Sequence, residues 1–117
     1  MCSSDLTRRE QPDLNDALRH LITMNRTESI VGGITALKAR PDRSAALATL
    51  TMPTLVICGA EDVMTPPSDS EAIARTIPGA KLVILPRAGH MANMEQPTAF
   101  NAALEEFLGA RVGTAGA

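Results

Sequence analysis

Pro53-Thr54-Leu55-Val56-Ile57-Cys58-Gly59-Ala60-Glu61-Asp62 is an apolar run that stops at a glycine and is followed by an acid. Leu55 to Cys58 do not alternate with polar residues. A strand of that kind is expected to be covered on both faces, as in the parallel sheets of α/β proteins. A second unit of the same design follows: Lys81-Leu82-Val83-Ile84-Leu85-Pro86, then Arg87-Ala88-Gly89-His90. Between them, Ser68-Asp69-Ser70-Glu71 has the pattern of a capping box. It predicts a helix with Ala72, Ile73 and Ile77 facing inward, stopped by Pro78-Gly79. Strand, helix and strand with short joints make a βαβ unit, whose crossover is right-handed in nearly all cases.

Beyond His90, Pro97 suits the first turn of a last helix, where a missing N–H costs nothing. Phe100, Ala103, Leu104, Phe107 and Leu108 form its apolar stripe, expected to cover one face of the two strands, with Gly109 as its stop. On the amino-terminal side, Asp13 is read as the cap of a helix carrying Leu14, Leu18, Leu21 and Ile22 at helical spacing. Thr27 is read as the cap of a second helix, with the stripe Ile30, Val31, Ile34 and Leu37 and an end at Pro41. Gly32-Gly33 in its middle predicts a kink or the close approach of another backbone. A short third helix is expected over 42–50, burying Leu47 and Leu50. This gives a helical segment over 12–50 and a βαβα unit over 51–110. Residues 1–11 are expected to be a disordered tail, and 111–117 a flexible one. Met1-Cys2-Ser3-Ser4-Asp5-Leu6 resembles the translation of a sequencing adapter, which makes a truncated reading frame the preferred explanation of this start.

Composition narrows the functions. The 117 residues allow one small domain at most. The hydrophobic share of 44% is that of a globular chain. Phe100 and Phe107 are the whole aromatic content and the net charge is −2, so neither base stacking nor a basic patch supports nucleic-acid binding. No apolar run reaches the ~18 residues of a membrane-spanning helix. Cys2 and Cys58 do not make a disulfide framework, and Cys58 within the apolar strand reads as a small hydrophobe, so a reduced, cytoplasmic setting is expected. His20 lies off its helix's apolar face and reads as a surface residue. No cofactor and no metal are expected.

Open parallel sheets bind ligands beyond the carboxyl ends of their strands. Asp62 and His90 both follow such ends, so they are the candidate catalytic pair: a carboxylate fixing the tautomer of an imidazole base. Glu61 is read as a solvated neighbour. Val63, Met91 and Met94 flank the two loops and either line a pocket or simply pack.

These residues resemble a known family. Pro53-Thr54-Leu55-Val56-Ile57-x-Gly59-x-x-Asp62, Thr65-Pro66-Pro67, Ile77-Pro78-Gly79-Ala80, Gly89-His90 and Glu95-x-Pro97-x-x-Phe100 resemble the C-terminal portion of α/β-hydrolases, most of all the enol-lactonase and esterase branch. The resemblance implies a fragment of that fold: two parallel strands with helices, preceded by helices from the cap region. It also implies that Asp62 is the triad acid and His90 the triad base, in the chain order of that family. The implied substrate is a small ester or lactone. The 117 residues contain no Gly-x-Ser-x-Gly, so no nucleophile is assigned and this polypeptide is expected to be inactive alone. A nucleotide-binding half-fold shares βαβ, but it needs a glycine-rich turn that Gly59-Ala60-Glu61 does not supply. The remaining alternative is a non-catalytic interaction module, or half of a split enzyme, with the outer edge of 55–58 free to pair with another chain.

Overall fold

The computed structural model describes residues 5–115, with side chains described as far as Ala110. Two strands, β1 (Leu55–Gly59) and β2 (Lys81–Leu85), pair in parallel with Leu55 opposite Lys81 and Gly59 opposite Leu85. Their carboxyl ends therefore lie level, which is what sets the two following loops side by side. Seven helices complete the described chain: α1 (Asp5–Glu10), α2 (Pro12–Thr23), α3 (Thr27–Ala39), α4 (Ser44–Leu47), α5 (Pro67–Thr76), α6 (Ala92–Glu95) and α7 (Pro97–Ala115). No described helix is long and apolar enough to cross a membrane.

The core sits at the carboxyl end of β2. Leu85, Ala88 and Ala92 are buried, and Ile57, Val83, Ala99 and Phe100 pack against them. Cover of the sheet is less complete than the unbroken apolar runs predict. Cys58 and Leu85 are buried, but Leu55, Val56 and Ile57 are only half-buried and Ile84 is exposed. Helix α7 contributes Phe100, Ala103 and Phe107 to the packed side, whereas Leu104 and Leu108 of the expected stripe face outward.

The crossover helix α5 starts one residue before the predicted cap. Pro66 is its N-cap and Pro67 its first residue, with no side-chain cap, so Ser68 is already inside the helix. Proline is pre-set for that first turn and lacks the N–H a cap would satisfy. The inward face is Ser70, Ala74 and Ile77 rather than Ala72, Ile73 and Ile77. A small hydroxyl residue, not the larger Ile73, meets the sheet. Ile77 turns extended before Pro78, and Gly79 takes φ +71 to reverse the chain into β2.

The amino-terminal helices differ from expectation in detail. Gln11 precedes α2 and Arg26 precedes α3, so Asp13 and Thr27 lie within their helices. The third helix is α4, Ser44–Leu47 rather than 42–50, with Leu47 and Leu50 half-buried; Asp42 lies two residues before it, and its Oδ1 accepts from Ser44 N at 2.8 Å and Ser44 Oγ at 2.5 Å. Helix α3 runs unbroken through Gly32-Gly33, and, apart from its chain neighbours and the helix's own backbone, no described atom lies within 4 Å of a Cβ built on either glycine. Its stripe is uncovered: Ile30, Val31, Ile34 and Leu37 are all exposed, as are Leu21 and Ile22 of α2. Part of the expected tail is helical. Residues 5–10 form α1, with Thr7 buried, while residues 1–4 lie outside the described chain. Helix α7 passes Gly109 and continues to Ala115, because one glycine costs a helix only about 1 kcal/mol.

Candidate active site

The site begins with the glycine that ends β1. A Cβ on Gly59 would stand 2.2 Å from Ala88 O, 2.3 Å from Gly89 O and 2.5 Å from Ala88 C. Only a residue without a side chain lets the loop after β2 cross so close. Two backbone bonds lock that crossing: Ala60 N donates to Leu85 O and Glu61 N to Ala88 O, both at 2.8 Å. Glu61 thus contributes its backbone, while its side chain is exposed.

Asp62 then turns its own loop. Its Oδ1 accepts from Met64 N and Thr65 N, each at 3.0 Å, and its Oδ2 accepts from Thr65 Oγ1 at 2.9 Å. The carboxylate is nearly sequestered, with 5% of its side chain exposed, against 34% for His90. The free lobe of Oδ2 faces His90 Nδ1 at 3.0 Å. An ionised carboxylate only accepts, so Nδ1 carries the proton and Nε2 of the neutral ring is the unprotonated nitrogen. Among the described residues, Nε2 has no hydrogen-bond partner. Burial pushes the Asp62 carboxyl up, but donation by Thr65 N, His90, Thr65 Oγ1 and Met64 N outweighs it and holds the group below its ordinary value.

The two residues expected to meet are therefore in contact. The sequence pattern assigns no role to Thr65, which is a double donor to Asp62. It assigns none to Glu95 either. Glu95 is buried, and its Oε2 accepts from Gly89 N at 2.7 Å while Oε1 accepts from Thr7 Oγ1. Thr65 lies only three residues from Asp62, whereas the Thr7 contact has no local signal, since Thr7 is 88 residues from Glu95. Val63 and Met64 are exposed, and Met91 and Met94 are half-buried. A cavity of about 280 Å³ lies elsewhere, lined by Arg40, Pro41, Asp42, Arg43, Ser44, Leu47 and Ile73, and shares no residue with the pair. No cluster of three metal-ligating side chains occurs among the described residues.

The model of the alpha/beta hydrolase fold matches residues 5–97. The chain belongs to the α/β-hydrolase family. The chain is 33% identical over 96 residues to 3-oxoadipate enol-lactonase 2 of Acinetobacter baylyi, covering 82% of its own length and 35% of the lactonase. Among solved structures it superposes on an esterase from Thermogutta terrifontis with a TM-score of 0.84 and 36% identity, covering 90% of this chain and 39% of the esterase. It matches Est816, described as an N-acyl homoserine lactone degrading enzyme, with a TM-score of 0.75 and 27% identity, over 91% of this chain and 43% of Est816. The chain spans only 25% to 35% of the length of the curated relatives compared.

Proposed function

We propose that Asp62 and His90 are the acid and base of an acyl-transfer triad acting on a small ester or lactone, with the nucleophile supplied from outside these 117 residues. The observation that carries this is the 3.0 Å contact between a buried carboxylate and a partly exposed imidazole at level strand ends. The esterase and lactonase relatives support the substrate class.

In this reading His90 Nε2 takes the proton of a serine hydroxyl as its oxygen attacks the carbonyl carbon. It then returns that proton to the leaving alkoxide oxygen when the C–O bond breaks. Water repeats the cycle on the acyl intermediate. Asp62 holds the Nδ1-protonated tautomer and stabilises the imidazolium formed between the two steps. Because no Gly-x-Ser-x-Gly occurs in the sequence, the chain by itself does not turn over. The outer edge of β1, unpaired among the described residues, and the exposed stripe of α3 favour completion by further polypeptide, in the same chain or another. A reducing, cytoplasmic setting suits the free, buried Cys58.

The test is to join the chain to the part of the T. terrifontis esterase that it does not cover and assay an activated acyl ester. Activity in the joined protein that His90→Ala abolishes is the expected result. Turnover by the 117-residue chain alone, lost on His90→Ala, contradicts the claim that it lacks a nucleophile. Activity in the joined protein that survives His90→Ala contradicts the role of the base.

A further inference from the structure

We propose that Glu95 is a positioning residue for His90, acting through the Gly89 N–H, and that Thr7 of α1 holds Glu95 in place. This rests on the reading of His90 as the base.

Glu95 is 4% exposed, yet among the described residues no cation pairs with it. A buried carboxylate is costly unless its oxygens are satisfied, and here both are, by Gly89 N and Thr7 Oγ1. Its carbonyl oxygen also accepts from Gln11 Nε2 at 3.0 Å, so the segment from Thr7 to Gln11 clasps this residue at two points.

The geometry around the loop explains why such a group is needed there. The chain leaves the β-ladder at Leu85, so no strand is available to accept from the loop's amides. Arg87 sits at φ 55, a left-handed conformation disfavoured for a residue with a side chain. It is held by Gln96 Nε2 donating to its carbonyl at 3.0 Å and by an ion pair between its guanidinium and Glu10. Ala88 O is anchored by Glu61 N. Gly89 N is anchored by Glu95. Three consecutive residues before His90 are thus fixed, and the Ala88–Gly89 peptide is held at both its carbonyl and its N–H, which fixes the direction from which the chain enters His90. Gly89 is itself buried, so without Glu95 its N–H loses its partner. Charge-assisted bonds of this kind are shorter and about twice as strong as neutral ones, and the contact is 2.7 Å.

The experiment uses the ¹⁵N-labelled 117-residue chain, with amide exchange of Gly89 and the ring-nitrogen shifts of His90 as readouts and His20→Gln for assignment. In the wild type the Gly89 amide is protected and His90 holds the Nδ1–H tautomer. In Glu95→Leu, Gly89 exchange rises at least about tenfold and the His90 ring becomes a mixture of tautomers, while Ile57 and Val83 amides stay protected. In Glu95→Gln an acceptor remains but its charge is lost, so Gly89 exchange rises about tenfold and the tautomer is kept. A merely structural role would loosen Ile57, Val83 and Gly89 together and would not select the tautomer. If Glu95→Leu does not fold, the wild type and Glu95→Gln decide: an unprotected Gly89 amide, or exchange unchanged by Gln, overturns the proposal. Asp62→Asn is the control. If it leaves the ring unchanged, the acid–base pair itself is wrong; if it alters the ring and Glu95→Leu does not, only the role of Glu95 is wrong.

Discussion

Replacing Gly59 by alanine puts a methyl group where two backbone carbonyls already stand. The added Cβ would lie 2.2 Å from Ala88 O and 2.3 Å from Gly89 O, and no rotamer change relieves contacts with main-chain atoms. Ordinary packing distance is about 3.5 Å, so the two loops must part by about 1 Å. That movement stretches the 2.8 Å bond from Glu61 N to Ala88 O beyond hydrogen-bonding range. Overpacking of this kind costs about 1–3 kcal/mol, and the lost bond adds about 1 kcal/mol. The sum is about 2–4 kcal/mol. With a urea slope of about 1 kcal/mol/M, the midpoint should fall by about 2 M or more. Urea unfolding followed by circular dichroism measures this directly. A midpoint within about 0.5 M of the wild type would refute the argument that Gly59 exists to let the His90 loop pass.

Three further outcomes are expected. The Asp62 carboxyl titrates lower in the folded chain than its unfolded value of 3.8, so its contribution to stability is present above that pH and is lost as pH falls through the folded value. Urea midpoints measured from pH 5 downward should fall more steeply in the wild type than in Asp62→Asn, where Asp42, also held below its ordinary value by Ser44, still contributes; equal slopes would contradict it. Leu85→Ala, at a residue 3% exposed, should cost about 2–4 kcal/mol, whereas Leu37→Ala, 66% exposed on α3, should change stability by less than about 0.5 kcal/mol in the same urea assay. In a Cys2→Ser background, Cys58 should react with a thiol reagent only after unfolding, because it is buried in β1; fast reaction of the native chain would contradict that burial.

What could be read in advance was what depends on local pattern. Leu55 to Cys58 announced a strand, Gly59 its end, and the position of Asp62 and His90 after strand ends their meeting at 3.0 Å. Misplaced features were those where one local rule yielded to another. Ser68 looked like a cap, but Pro67 has a fixed φ that already suits a first helical turn. Gly109 looked like a stop, but nothing in α7 requires a left-handed residue there. Thr65 was missed although its partner Asp62 is only three residues away, but the missed helix α1 depends on distant partners. Helix α1 is six residues long and polar, and takes its place through Thr7, Gln11 and Glu10 meeting Glu95 and Arg87. Periodicity identified the apolar stripe of α3 but not its cover, since a stripe says that a face wants burial and not what buries it.

The central claim concerns what Asp62 does for His90, and kinetics of the protein joined to a nucleophile-bearing amino-terminal region test it most directly. Asp62→Asn should lower kcat by about 10³–10⁴ with KM little changed, because the asparagine favours the wrong imidazole tautomer. A loss of less than about tenfold would mean that His90 works without its acid.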